Sequence, residues 1–240
     1  MATDSPMAQV ISLSSKRLVT DVPAPNGGDA VLRDVISGAP FDGAVTGFVL
    51  SCLPDGEAPV MWVSCRMSRR ENGRLYGPAL RQFGFKGDVL RVEVSHPRDV
   101  LWAMEEGAAC AGLSAVVGEI HGAPEVLSFT ATKRLALRSD ASGVPVWLIR
   151  TGDDGAMSAA RERWRISSLP SEAHPWNTAA PGHPLWEADM FRARGRAPGV
   201  WEARHEPAAR WAKDRLRLLS RSGDGQVAAD HQPAAELAGG

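Results

Sequence analysis

No charge bias, no metal-ligand spacing and no membrane-length apolar run marks this sequence. The formal net charge of the 240 residues is −1, so no global field favours nucleic acid or an anionic membrane. The three cysteines (Cys52, Cys65, Cys110) sit in apolar or helical contexts and read as small core residues of a reducing compartment. The histidines are scattered. His174 and His183 flank a Pro-rich loop with no cysteine or acid at ligand spacing, which argues against a metal site. No G-x-S-x-G elbow occurs, so a serine hydrolase of that type is excluded. Glu105 and Glu106 are adjacent on an expected helix, where neighbours point apart, so they suit a solvated face better than an acid/base pair. No run approaches bilayer length, and the N-terminal residues lack the basic, apolar, small order of a secretory leader. A soluble, cytoplasmic protein without cofactor or metal is expected.

What is present is an ordinary globular core. Apolar residues make up 44% of the chain, enough for one large domain with appendages. Residues 1–28 read as an arm and linker, closed by the turn-forming Pro23-Ala-Pro25-Asn-Gly-Gly28. Residues 29–206 read as the core domain. Val35-Ile36, Val60–Cys65, Val89–Val94, Leu113–Val117 and Val144–Ile149 are expected strands. Between them fall helices over Val45–Leu53, Tyr76–Phe83, His96 to about Ala111, and from Ser128 or Thr130 to Ala141. Such alternation implies a mostly parallel sheet flanked by helices. After Arg150 the pattern changes. Trp164–Leu169, Leu185–Phe191 and Val200–Arg204 alternate as an antiparallel extension should. Residues 207–221 read as a basic amphipathic helix carrying Trp211, Arg215 and Leu218 on one face, and residues 222–240 as a disordered tail.

The chemically suggestive stretch is Gly38-Ala-Pro-Phe-Asp-Gly43-Ala44-Val45-Thr46, between the first strand and helix. Its glycine spacing fits G-x-x-x-x-G-K-[ST], the loop that cradles phosphates. Ala44 stands where the lysine would meet the β/γ-phosphates, and Val45 where a hydroxyl would hold Mg²⁺. Taken alone, an ordinary glycine turn before a helix explains the same residues. The backbone amides of the loop could still hold an anion weakly.

The element order resembles the RecA core: strand, glycine loop, helix, alternating strands and helices, then an antiparallel set. A narrower set of motifs is similar to the ImuA family. These are Gly43-Ala-Val-Thr-Gly-Phe48, Glu71-Asn-Gly-Arg-Leu-Tyr76, Leu101-Trp-Ala-Met-Glu-Glu106, Ala115-Val-Val-Gly-Glu119, Arg163-Trp-Arg165 with Leu169-Pro-Ser171, and Trp186 to Arg196. They cover roughly Leu32 to Arg204. The resemblance implies a RecA-like accessory protein of damage-induced (SOS) mutagenesis. It would partner an ImuB-type inactive polymerase relative and support a DnaE-type error-prone polymerase, with RecA as a further partner.

The same alignment of plans places Arg66 at the water-activating acid of RecA-type ATPases, and a cation cannot act as that base. The metal-side acid would fall near Gly118, with Glu119 displaced by one residue and assigned a structural role. Hydrolysis of ATP is therefore not expected. For nucleic acid, the loops after Glu119 and Ile149 are poor phosphate binders. Arg192, Arg194, Arg196 and Arg204 on the C-terminal hairpin form the better basic patch, with Trp186 and Trp201 as stacking faces or, more simply, core residues. From Arg161 to Arg221 twelve Lys/Arg face seven Asp/Glu. A SulA-like inhibitor of cell division, and an ATPase using Lys86 or Lys133, are the alternative readings.

Overall fold

The computed structural model describes residues 21–220 apart from 23, 26–27, 154, 175 and 178. In chain order it contains β1 (Asp21–Val22), β2 (Leu32–Ser37), α1 (Ala44–Cys52), β3 (Val60–Cys65), α2 (Arg66–Asn72), α3 (Gly77–Gln82), β4 (Val89–Val94) and α4 (Pro97–Ala108). There follow β5 (Ala115–His121), α5 (Phe129–Ser142), β6 (Val146–Thr151), β7 (Glu162–Leu169), β8 (Leu185–Ala193), β9 (Gly199–His205) and β10 (Leu216–Ser220).

All ten strands form one sheet in the order β1-β10-β9-β8-β7-β2-β6-β5-β3-β4. From β7 to β4 every pair is parallel, and from β7 to β1 every pair is antiparallel. The expected α/β plan, a RecA-like parallel core with an antiparallel C-terminal extension, is what the chain forms. The reason lies in the strand sequences. β3 (VMWVSC) and β6 (VWLIRT) are buried along their whole length, as near-continuous apolar runs in a sheet covered on both faces should be.

Two cores lie on the two faces. On one, α1 places Val45, Phe48 and Val49 against Val35, Trp147, Ile149 and Trp164. On the other, α4 and α5 place Val100, Met104, Ala131 and Leu135 against Leu32, Val116, Val146 and Leu148. Pro97 at the first turn and Asp99 beside it suit the start of α4. Ser128 caps α5 by accepting the Ala131 N–H, and left-handed Gly143 ends it.

One element departs from expectation. Over the described residues 207–220 the chain does not form the expected basic helix. The chain turns at 206–215, where the Glu206 N–H donates to the Arg215 carbonyl at 2.8 Å, passes through a short 3₁₀ turn at Ala212–Asp214, and pairs as β10 with β9. Leu216 and Leu218 point inward and Arg217 outward, a period of two rather than 3.6. Packing of those leucines into the α1 core outweighs the local helix preference of an Ala-, Arg- and Leu-rich segment. The sheet therefore runs past the expected boundary at residue 206. It also takes in Asp21–Val22 of the expected arm, which pairs with β10. The rest of the arm, residues 1–20, and the expected tail lie outside the described residues.

Candidate functional site: the glycine loop and the cleft beside it

The loop expected to resemble a phosphate cradle lies between β2 and α1, and its hydrogen bonds run to β7. Gly38 donates its N–H to the Ile166 carbonyl at 2.7 Å, and any Cβ there would lie 1.9 Å from Ser167 Oγ. Close approach to β7, rather than to a ligand, accounts for this glycine. Gly43 sits at the helix boundary with open space around it. Between them Phe41 adopts φ 58° and is exposed, an unusual backbone for a non-glycine residue.

Asp42 is the residue that sequence reasoning missed. Its Oδ1 accepts the Ala44 N–H at 2.9 Å and the Ser168 hydroxyl at 2.6 Å, and its Oδ2 accepts the Ser168 N–H at 2.8 Å. Partial burial pushes its carboxyl up, but the hydrogen bonds from Ser168 and Ala44 outweigh this and hold it below the usual range. A carboxylate thus occupies the N-terminal end of α1, where the helix dipole and free amides favour an anion. The Asp-Gly pair just before a helix was the available signal. Ala44 and Val45, at the lysine and hydroxyl positions, are buried in the α1 core.

Thr46, one residue beyond the hydroxyl position, lines a cleft of about 270 Å³ with Gly43, Leu50, Leu80, Phe83 and Glu119. Here the structure corrects the strand register. Gly118 faces α4, where a Cβ would collide with Met104 Sδ at 2.1 Å. Glu119 therefore faces α1 and is not displaced from the cleft; it is its buried acid, 6% exposed. Burial pushes its carboxyl up to about 7, with a hydrogen bond from the Trp62 side chain acting in the opposite sense. Arg66 begins α2 and is exposed, and Ser64 lines an adjoining cleft with Glu119. Lys86 and Lys133 are exposed and do not line the cleft.

The expected basic patch is not one surface. Arg204 pairs in register with Leu185, and Arg192 with Arg163, which places them seven residues apart along β8, roughly 23 Å. Arg204 is ion-paired with Glu172 at 2.9 Å. Arg196 pairs with Glu162 at 3.5 Å and lies over the Trp164 ring. Arg192 and Arg194 are exposed. Trp186 is buried, and Trp201 packs on Trp164 with ring centroids 5.9 Å apart, so neither offers a free stacking face. Of the three expected contacts in 207–221, only Trp211 is exposed. Arg215 is fully buried, donating to the carbonyls of Gly84 and Leu53 and pairing with Asp55 at 3.1 Å, and Leu218 is core.

The loop after β6, a candidate nucleic-acid segment in the RecA plan, is pinned to the sheet. Arg150 binds Asp34 at 3.1 Å and also binds Asp153. Arg163 reaches Asp34 at 3.3 Å and donates to the carbonyls of Gly155 and Ala156. Asp153 in turn accepts the Gly155 N–H at 2.7 Å. Desolvation raises the Asp34 carboxyl, against the two arginines that lower it. Among the described residues no group of three or more His, Cys, Asp or Glu is placed to hold a metal, and no helix is long and apolar enough to cross a membrane.

No family model matches the chain. Two curated proteins do. Both are named Protein ImuA, from Caulobacter vibrioides strains NA1000/CB15N and ATCC 19089/CB 15, and each is 30% identical over 216 residues, covering 83% of this chain and 81% of the relative. The motif series, the RecA-like sheet and this coverage together place the chain in the ImuA family.

Proposed function

We propose that the protein is a non-catalytic, RecA-like adaptor of damage-induced mutagenesis. It binds an ImuB-type, inactive polymerase relative and supports a DnaE-type error-prone polymerase, with RecA as a further partner. The observation that carries the non-catalytic part is the Asp42 carboxylate, seated at the α1 N-terminus and held by Ser168 and Ala44. An approaching phosphate would meet a fixed like charge, no lysine and no hydroxyl at the usual position. The family of its relatives supports the mutagenesis part. Contact with DNA is indirect in this reading, since the hairpin arginines are divided or ion-paired.

The test is calorimetric titration of the purified chain with ATP·Mg²⁺, then with its ImuB-type partner. We expect no nucleotide heat and a clear partner isotherm. Micromolar ATP binding would restore the enzyme reading, and recovery of the division tubulin instead of a polymerase subunit in a pull-down would favour the SulA-like one.

A further inference from the structure

The cleft beside the glycine loop has a composition that neither a phosphate cradle nor a plain structural seam requires. Its walls carry Leu50, Leu75, Leu80 and Phe83 beside the polar Thr46, Asn72 and Tyr76, and its buried polar end is Glu119. Apart from the hydrogen bond with Trp62, the Glu119 carboxyl has no side-chain partner among the described residues, and no cation pairs with it. Among the described residues the one cation lining the cleft, Arg74, is already bound to Glu93 at 2.9 Å. A buried carboxylate without a counter-ion is costly, and a cleft open to it invites one.

The chemistry of the occupant follows from three features. Asp42 and Glu119 are both acids near the α1 N-terminus, so an anionic ligand is disfavoured. A single buried acid, with no cluster of ligating side chains around it, is a poor divalent-cation site. The volume, about 270 Å³, lies below the ~300–1,000 Å³ range of small-molecule pockets and suits one long side chain. Leucine and phenylalanine surface mixed with polar groups, leading to one buried acid, matches the lysine or arginine side chain, whose methylenes cover apolar surface while the head group reaches a charge.

Resting on the adaptor reading above, we propose that this cleft is a socket for a lysine or arginine side chain of the partner protein, which pairs with the Glu119 carboxylate. The charged and titratable groups lining this cleft and the adjoining one are Arg74, Tyr76, Arg91 and Glu93; α1 and α3 contribute none. Because burial raises Glu119 to about 7, the socket is anionic above neutrality and loses its charge below it. Partner affinity therefore rises from pH 6 to pH 8, by up to about tenfold through this group.

The experiment is titration of the full chain with the purified ImuB-type partner at pH 6 and pH 8, for wild type, Glu119→Gln and Thr46→Arg. The arginine at position 46, on the cleft wall, supplies the cation from within and closes the socket. We expect Glu119→Gln to bind at least tenfold more weakly at pH 8, with its pH dependence gone, and Thr46→Arg to bind weakly at both values. Wild-type affinity in Glu119→Gln overturns the socket and leaves the adaptor reading intact. If Glu119→Gln fails to fold, unimpaired binding by Thr46→Arg overturns it instead. Absence of any wild-type binding overturns the adaptor reading, and the socket with it.

Discussion

Glu119 has an energetic signature separate from any partner. A carboxyl whose folded-state value is raised from 4.5 to about 7 is neutral in both states at low pH and costs nothing there. As pH rises between those values the unfolded chain ionises first, and stability falls; above about 7 the penalty is complete. Glu119→Gln should therefore be more stable than wild type at pH 8, by at most ~3 kcal/mol, and indistinguishable near pH 4. Urea unfolding at the two pH values checks this, and a variant that is tougher yet binds less would be the mark of a binding residue. Asp42→Ala is expected to act the other way, losing ~1 kcal/mol as a helix-end acceptor is removed, readable as a lowered thermal midpoint. Neither residue was legible as what it is. The facing of Glu119 depends on where β5 begins and ends, which a one-residue slip reverses. Asp42 has a local sign in the Asp-Gly pair before α1, but its anchor is Ser168, 126 positions away, and that partner leaves no trace nearby.

At the scale of elements, legibility followed how fully one force decided the outcome. The strands β3, β5 and β6 are buried apolar runs, and α5 has a serine cap and a glycine stop, so local pattern and final structure agree. The segment that became β10 has Leu216, Leu218 and Leu219, which fit either a helix stripe or an alternating strand, and only the free edge of β9 decides between them. Alternation yields a test: Leu218→Ala should cost about 2–5 kcal/mol, and Arg217→Ala no more than about 1 kcal/mol, by chemical denaturation. On a helix Leu216 and Leu218 would lie about 200° apart and could not both face the core, so a comparable cost for Leu216→Ala marks the strand. The short α2 was not foreseen, because of its residues only Ser68 is buried and no apolar stripe marks it. The loop after β6 is fastened for a reason no local pattern carries: Asp34, Arg150 and Arg163, of residue types usually found at the surface, are buried together as one network. Asp34→Ala leaves two buried guanidinium groups without their shared acid and should cost about 3–5 kcal/mol, with faster amide exchange over residues 155–158.

For the whole molecule, the sheet joins a parallel half and an antiparallel half through β7, and a single core beneath α1 reaches both, from Trp62 and Trp147 to Ala203 and Leu218. The halves are therefore expected to unfold together. Tryptophan fluorescence and far-ultraviolet circular dichroism should trace one coincident urea transition. Two separate transitions would mean that the antiparallel extension is an independent unit.

The packing of the glycine loop also bears on what could be grafted there. Ala44 and Val45 are 4% and 1% exposed, so their side chains are part of the molecule's interior. Installing a lysine and a threonine there would force an ammonium and a hydroxyl into packed space while Asp42 still holds the helix end. Transplanting the two motif residues alone is therefore expected to loosen the interior without conferring a grip on phosphate.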